Sequence, residues 1–237
     1  MGVQVRYQGR LGDHLFQYIA ARLFAEENDL RLLSCLPTNA VVRDAPRREG
    51  RRIYGAPVAI TDERDIFDGS WPPGHYVFDG YFQRSRWYHE RRDQVLRAVE
   101  LEPVREVNRK DIVIILRIDE DYRSLNWVIH PSWYLVILAQ EKFERLHVVA
   151  DVRNEEYLAA FRKYNPVIVS SGPKGDWEYL RSFDRILTAN STFSWWAAYF
   201  SRASRIYTFK RWVTHPIPQL HAFPNGVGVD GKFLHEG

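Results

Sequence analysis

The chain has 237 residues, enough for one large domain or two small ones. Hydrophobic residues make up 45% and charged residues 27%, an ordinary globular balance with material for a core. The formal net charge of +3 fits an anionic ligand such as a nucleotide diphosphate. It is weak evidence for nucleic acid, which asks for a concentrated basic stripe. The short basic clusters Arg47-Arg48, Arg51-Arg52 and Arg91-Arg92 read as solvated surface.

One cysteine, Cys35, excludes an internal disulfide and agrees with a reducing cytosol. Met1 to Arg6 has no apolar run of the signal-peptide kind, and Arg6 stands where a myristoylation pattern needs Ser or Thr. No stretch reaches the roughly 18 apolar residues of a membrane span. The expectation is a soluble, cytoplasmic protein. Aromatic residues are frequent, at 14% with 8 Trp; they suit sugar or base stacking, but most are expected in the core.

In chain order, Val3 and Val5 open a short strand, and Gly9-Arg10-Leu11-Gly12 breaks it. Leu15, Phe16, Ile19, Ala20, Leu23 and Phe24 then recur at helical spacing. Residues 37–75 are rich in Pro, Gly and Arg and lack a period, so one or two short elements are expected there. Tyr76 to Phe82 reads as a short aromatic strand ending in a turn, and Trp87 to Val99 as a helix with a wet face. From residue 109 the pattern changes. Ile112-Val113-Ile114-Ile115-Leu116 is a continuous apolar run, the mark of a strand buried on both faces. Short runs at 147–150, 167–169, 185–187 and 206–207 follow, with helical segments expected at 131–143, 154–164, 176–182 and 193–201. Alternation of this kind predicts a parallel sheet in an α/β domain. The expected boundary is near 108, giving an N-terminal α/β half at 1–108 and a Rossmann-like half at 109–237.

Three corners carry chemistry. Asn190-Ser191-Thr192-Phe193-Ser194-Trp195-Trp196 follows a strand and opens a helix. Ser and Thr there serve as ordinary N-caps, or their hydroxyls and the free helix N–H groups bind an anion. Gly9-Arg10-Leu11-Gly12-Asp13-His14 is a second strand–loop–helix corner, either a tight turn capped by Asp13 or a place where a ligand approaches the backbone. Arg117 ends the buried strand 112–116, where α/β proteins bind ligands; its fork matches phosphate, or it pairs with Asp119, Glu120 or Asp121.

Together these corners resemble the bacterial α-1,2-fucosyltransferase family and the wider fucosyltransferase superfamily. The family's Gly-Arg-Leu-Gly-Asn-Gln-Leu-Phe-Gln-Tyr motif is similar to the run from Gly9 to Tyr18. Its Asp-Gly-Tyr-Trp-Gln resembles Asp79-Gly80-Tyr81-Phe82-Gln83, and its Asn-Ser-Ser/Thr-Phe-Ser-Trp-Trp is matched in full from Asn190 to Trp196. The resemblance extends from residue 9 to about 212. The chain is shorter than is usual for the family, and its central motif, continuing as Ile118-Asp119-Glu120-Asp121-Tyr122, has one extra residue and no second Arg. Ile115 occupies the His position of the family's His-x-Arg-Arg-Gly-Asp-Tyr motif, in which Arg117 fits the first Arg. Asp13 replaces an Asn, and His14 replaces a Gln.

The resemblance implies a GT-B-like arrangement of two Rossmann-like halves with parallel sheets. The C-terminal half would bind the nucleotide, and the N-terminal half would serve the acceptor side. It implies metal-independent, inverting transfer of fucose or a related sugar from a GDP-sugar to a hydroxyl of a glycan or small-molecule acceptor. The GDP-sugar is a co-substrate, and no cofactor is expected. No nucleic-acid partner is expected, and membrane association only where the acceptor is lipid-linked. Donor binding falls to Gly9, Arg10, Leu11, Gly12, Arg117, Asn190, Ser191, Thr192 and Phe193. The catalytic candidates are Arg117, to stabilise charge on the leaving diphosphate, and Asp13 and His14 as bases. Two rivals remain. Asp119-Glu120-Asp121 resembles the acidic pattern by which other glycosyltransferases hold a divalent cation. A nucleotide- or sugar-binding protein without catalysis would explain the missing His before Arg117. There is no Gly-x-Ser-x-Gly elbow, and His130, His147, His215 and His221 lack zinc-ligand spacing.

Overall fold

The computed structural model describes residues 2–47, 49–52, 54–61, 66–69, 71–151, 154–211 and 223–235. Arg48, His215, His221, parts of the 37–75 stretch and the last residue of the family resemblance lie outside them. The chain divides into two units, Met1–Glu102 and Pro103–Gly237. The sequence pattern placed the change near 108, a few residues later.

The first unit carries a three-stranded parallel sheet. Its strands are β1 (Val3–Val5), β3 (Pro57–Ile60) and β4 (His75–Phe78), in the order β1-β4-β3. A two-residue antiparallel pair, β2 (Arg43–Asp44) with β5 (Val99–Glu100), lies apart. Helix α1 (Leu11–Glu27) is buried continuously from Leu15 to Ala25. That burial includes two polar residues, and each is satisfied. Gln17 accepts from the Gln8 N–H at 3.1 Å and donates to the Gln8 carbonyl at 2.9 Å. Arg22 donates to the carbonyls of Ala45, Pro46 and Ala98 and to Asp44 and Glu26, all within 2.7–2.9 Å. Leaving such a group unpaired would cost several kcal/mol, so these contacts fix the position of α1.

The helix expected over Trp87–Val99 is two helices, α2 (Ser85–Glu90) and α3 (Arg92–Ala98), broken at Arg91. Tertiary partners account for the break. Arg91 Nε reaches Glu27 at 2.7 Å, and its guanidinium sits 3.8 Å from the Phe67 ring centre.

The second unit is built on six parallel strands: β6 (Ile112–Leu116), β7 (Leu146–Ala150), β8 (Val167–Val169), β9 (Arg185–Leu187), β10 (Arg205–Phe209) and β11 (Gly226–Val229). Their order is β8-β7-β6-β9-β10-β11. Counted from β6, this is 3-2-1-4-5-6, the order of a Rossmann sheet. The connecting helices are α4 (Glu120–Ser124), α5 (Pro131–Gln140), α6 (Glu155–Leu158) running into a 3-10 turn (Ala159–Tyr164), α7 (Gly172–Arg181) and α8 (Thr192–Tyr199). Alternate strand residues face opposite ways. Ile112, Ile114, Leu116, Val148, Leu187 and Phe209 accordingly share one core with Trp133, Tyr134 and Ile137 of α5. Helix α8 is anchored by its tryptophan pair. Trp195 stacks on Tyr199 at 5.0 Å and Trp196 on Phe200 at 5.2 Å, and both tryptophans are at most 2% exposed. These two are core residues that hold α8, each worth about 2–3 kcal/mol of burial. Among the described residues no helix is long and apolar enough to cross a membrane.

Candidate functional site

In a sheet of order 3-2-1-4-5-6 the chain runs outward in both directions from the gap between strands 1 and 4. Loops leaving those two strands diverge and open a crevice beyond their carboxyl ends. Here the gap lies between β6 and β9, which pair directly through Val113–Ile186 and Ile114–Leu187. Three residues beyond the last of these pairs, on the two chains, come Arg117 and Asn190. The topology thus brings two of the three sequence-selected corners to the same end of adjacent strands.

Helix α8 begins here. Ser191 is its N-cap, with extended backbone, yet its hydroxyl caps no N–H. The hydroxyl of Ser194 turns back instead, to the carbonyls of Ala189 at 2.9 Å and Ser191 at 2.7 Å. The first N–H groups of a helix have no partner within it. At α8 no N-cap side chain covers them, and Thr192 and Phe193 are half-buried. Asn190 is only 4% exposed, and neither its amide oxygen nor its amide nitrogen has a hydrogen-bond partner among the described residues. An unpaired buried amide is costly in a native fold. The indole N–H of Trp177 is in the same condition, and its ring packs on Phe193 at 5.5 Å.

Arg117 is held on two sides. Nη2 donates to Asp119 at 2.7 Å, and Nε lies 3.2 Å from Asp151. Its guanidinium also sits 4.8 Å from the Tyr122 ring centre. Nη1 makes no hydrogen bond among the described residues. Each carboxylate has a backbone partner as well. Asp119 accepts from the Tyr122 N–H at 3.0 Å and so caps α4; Asp151 accepts from the Ile118 N–H at 3.1 Å. The acidic triplet Asp119-Glu120-Asp121 is therefore the start of a helix. Among the described residues no group of three or more His, Cys, Asp or Glu is arranged to hold a metal ion.

Asp151 did not figure among the sequence candidates. It follows β7, the second strand of the sheet, where Rossmann folds carry the carboxylate that meets a ribose hydroxyl. The available signal was a carboxylate directly after the apolar run Leu146–Ala150.

In the first unit, the Gly9–His14 corner is a helix start. Gly9 has φ +80°, and a Cβ there would lie 2.4 Å from Asp13 Oδ2. That oxygen accepts from the Arg10 N–H at 2.8 Å, and Oδ1 accepts from Gln83 Nε2 at 2.8 Å. Both carboxylate oxygens of Asp13 are thus engaged; the residue is not the N-cap, which is Arg10, but stands at N3 and accepts from the N-cap N–H in a capping box. Gly12 is buried and Leu11 half-buried, while Arg10 is exposed. His14 differs from Asp13. It is half-buried, its Nδ1 is buried without a partner, and its ring meets Tyr7 edge-on at 5.2 Å. Burial holds its pKa below the ordinary 6.5, against the opposing pull of Asp13.

No protein-family model matches this chain, and neither a curated protein nor a solved structure does.

Proposed function

We propose that this protein is a metal-independent glycosyltransferase that moves a sugar from a GDP-sugar to an acceptor hydroxyl with inversion, the sugar being fucose or a close relative. The observation that carries the nucleotide part is Asn190. Its buried amide lacks partners at the uncovered start of α8, beside the strand that ends in Arg117. A diphosphate fits such a place because helix N–H groups and a guanidinium both favour anionic oxygen. The sugar-transfer part rests on the motif resemblance at Gly9–Tyr18, Asp79–Gln83 and Asn190–Trp196.

In the proposed reaction the acceptor oxygen attacks the anomeric carbon as its bond to the diphosphate breaks. The bonding pair leaves with GDP, and the acceptor proton passes to a base. Charge grows on the diphosphate, and donors aimed at it lower the barrier. Arg117 and the N–H groups of Thr192 and Phe193 are assigned that role. We assign the proton to His14 rather than to Asp13, because burial favours the neutral ring while both Asp13 oxygens already accept hydrogen bonds.

The test is a thermal-shift panel of GDP, UDP, dTDP and ADP and their sugars, followed by a transfer assay. GDP preference with transfer supports the reading, and a different nucleotide overturns the donor. A second reading, nucleotide binding without transfer, is favoured by the two carboxylates that hold Arg117. It predicts GDP stabilisation with neither transfer nor donor hydrolysis.

A further inference from the structure

The site above lies at the carboxyl ends of the strands of the second unit. At their amino ends, where β9 and β10 begin and α5 ends, lies a separate open hollow of about 790 Å³. That volume falls within the range of small-molecule sites. Its frame is Arg185, which donates to the Lys110 carbonyl at 2.9 Å, the Arg109 carbonyl at 3.2 Å and Glu141 at 3.3 Å. Glu141 also takes Arg205 at 2.8 Å and the Tyr207 hydroxyl. Of the other carboxylates, Glu144 pairs with Lys110 at 3.3 Å, and Asp184 accepts from the Ser204 hydroxyl at 2.7 Å.

Every carboxylate lining the hollow therefore has a partner, whereas two of its cations do not. Arg109 and Lys142 line it and make no side-chain hydrogen bond or ion pair among the described residues. Arg185 Nε is buried and also lacks an acceptor. Five cations against three carboxylates leave the lining with a net formal charge of +2. Arg185 and Arg205 are explained by the carbonyls and the carboxylate they bind. Arg109 and Lys142 are exposed and line the hollow with uncommitted side chains.

We propose that this hollow binds the phosphate group of a small organic phosphate, at a site separate from the nucleotide site. A dianion matches the +2 lining, and an arginine fork facing a phosphate makes two parallel hydrogen bonds. Phe143, half-buried in the wall, offers an apolar face to the organic part.

The experiment is isothermal titration of the full chain with inorganic pyrophosphate and, separately, with GDP. It compares wild type, the double variant Arg109→Ala with Lys142→Ala, and Asn190→Leu. Removing the two cations is expected to weaken one class of pyrophosphate binding about tenfold while leaving GDP affinity unchanged. Asn190→Leu is expected to weaken GDP while leaving that class of pyrophosphate binding unchanged, so failure here and failure of the nucleotide reading are told apart. Pyrophosphate binding unchanged in the double variant overturns the proposal, as does wild type that binds no pyrophosphate at millimolar concentration.

Discussion

Asn190→Leu puts stability and binding in opposition. Leucine keeps the number and branching of side-chain heavy atoms and removes both polar ends. The amide is 4% exposed and unpaired among the described residues, a condition that costs about 1–3 kcal/mol. Part of that returns when the polar atoms go, less a repacking cost for the larger methyl groups. A net gain of about 1 kcal/mol corresponds to a rise of about 2–4 °C in Tm. Binding moves the other way. Hydrogen bonds from an amide to charged oxygen are worth about 1.5–3 kcal/mol, so GDP should bind about 10- to 100-fold more weakly. Asn190→Ala guards against overpacking: it loses affinity equally and leaves a small void. Thermal unfolding of the three proteins, with and without GDP, separates the two effects. If both variants lose stability and keep GDP affinity within about twofold, Asn190 is a packing residue and the phosphate assignment fails.

Arg117→Ala should lower transfer about 100-fold or more in a folded protein, read as kcat, while wild-type turnover would remove it from the mechanism. His14 provides a pH signature. Its folded pKa lies below the ordinary 6.5, so between those two values the unfolded chain binds more protons than the folded one. Stability from this group is complete above 6.5 and falls as the pH drops toward the folded value. The acid limb of kcat/KM should lie below 6.5, and His14→Gln should abolish that limb while flattening stability over the same interval; a retained limb would exclude His14 as the base. Gly9→Ala forces a methyl group to 2.4 Å from Asp13 Oδ2 at φ +80° and should cost about 1–3 kcal/mol, seen as a lower urea midpoint. EDTA should leave transfer unchanged; strict metal dependence would revive the Asp119-centred rival.

The sheet of the second unit was legible because burial on both faces leaves one kind of sequence. Ile112–Leu116 is an unbroken apolar run and Leu146–Ala150 is apolar but for His147, and both are fully buried strands. Strand order was not legible, since nothing in Arg185–Leu187 states that it lies beside β6 instead of β8. Gly226–Val229 was missed because a glycine-rich segment with exposed residues has little strand propensity; it forms by pairing with β10. Helix α4 did carry a signal. Asp119 caps it, with Glu120 and Asp121 in its first turn, but the same letters also spell a cation-binding pattern, and only the Tyr122 N–H contact separates the two. The break at Arg91 has no Pro or Gly to announce it; Glu27 and Phe67, distant in sequence, cause it. At the site, the Arg117 corner was readable from its place at a strand end. Its second carboxylate was not, because Asp151 comes from the next strand.

That second carboxylate bears on how Arg117 is able to work. Asp119 and Asp151 offset the charge of Arg117, so on the proposed reading the start of α8 is the other source of attraction for a diphosphate. For Arg117 to serve the phosphates, its fork must leave Asp119. Such an exchange is forbidding if it strands a buried carboxylate. Here it strands neither. Asp119 retains the Tyr122 N–H, and Asp151 retains the Ile118 N–H. Both acids are also partly exposed, at 17% and 15%, so water screens what remains. On the proposed reading Nη1, which makes no hydrogen bond among the described residues, would supply the first contact and Nη2 would follow, while Nε stays within ion-pair distance of Asp151. On the proposed reading the two carboxylates orient the guanidinium, and the backbone N–H groups that each of them keeps are what would let it be released.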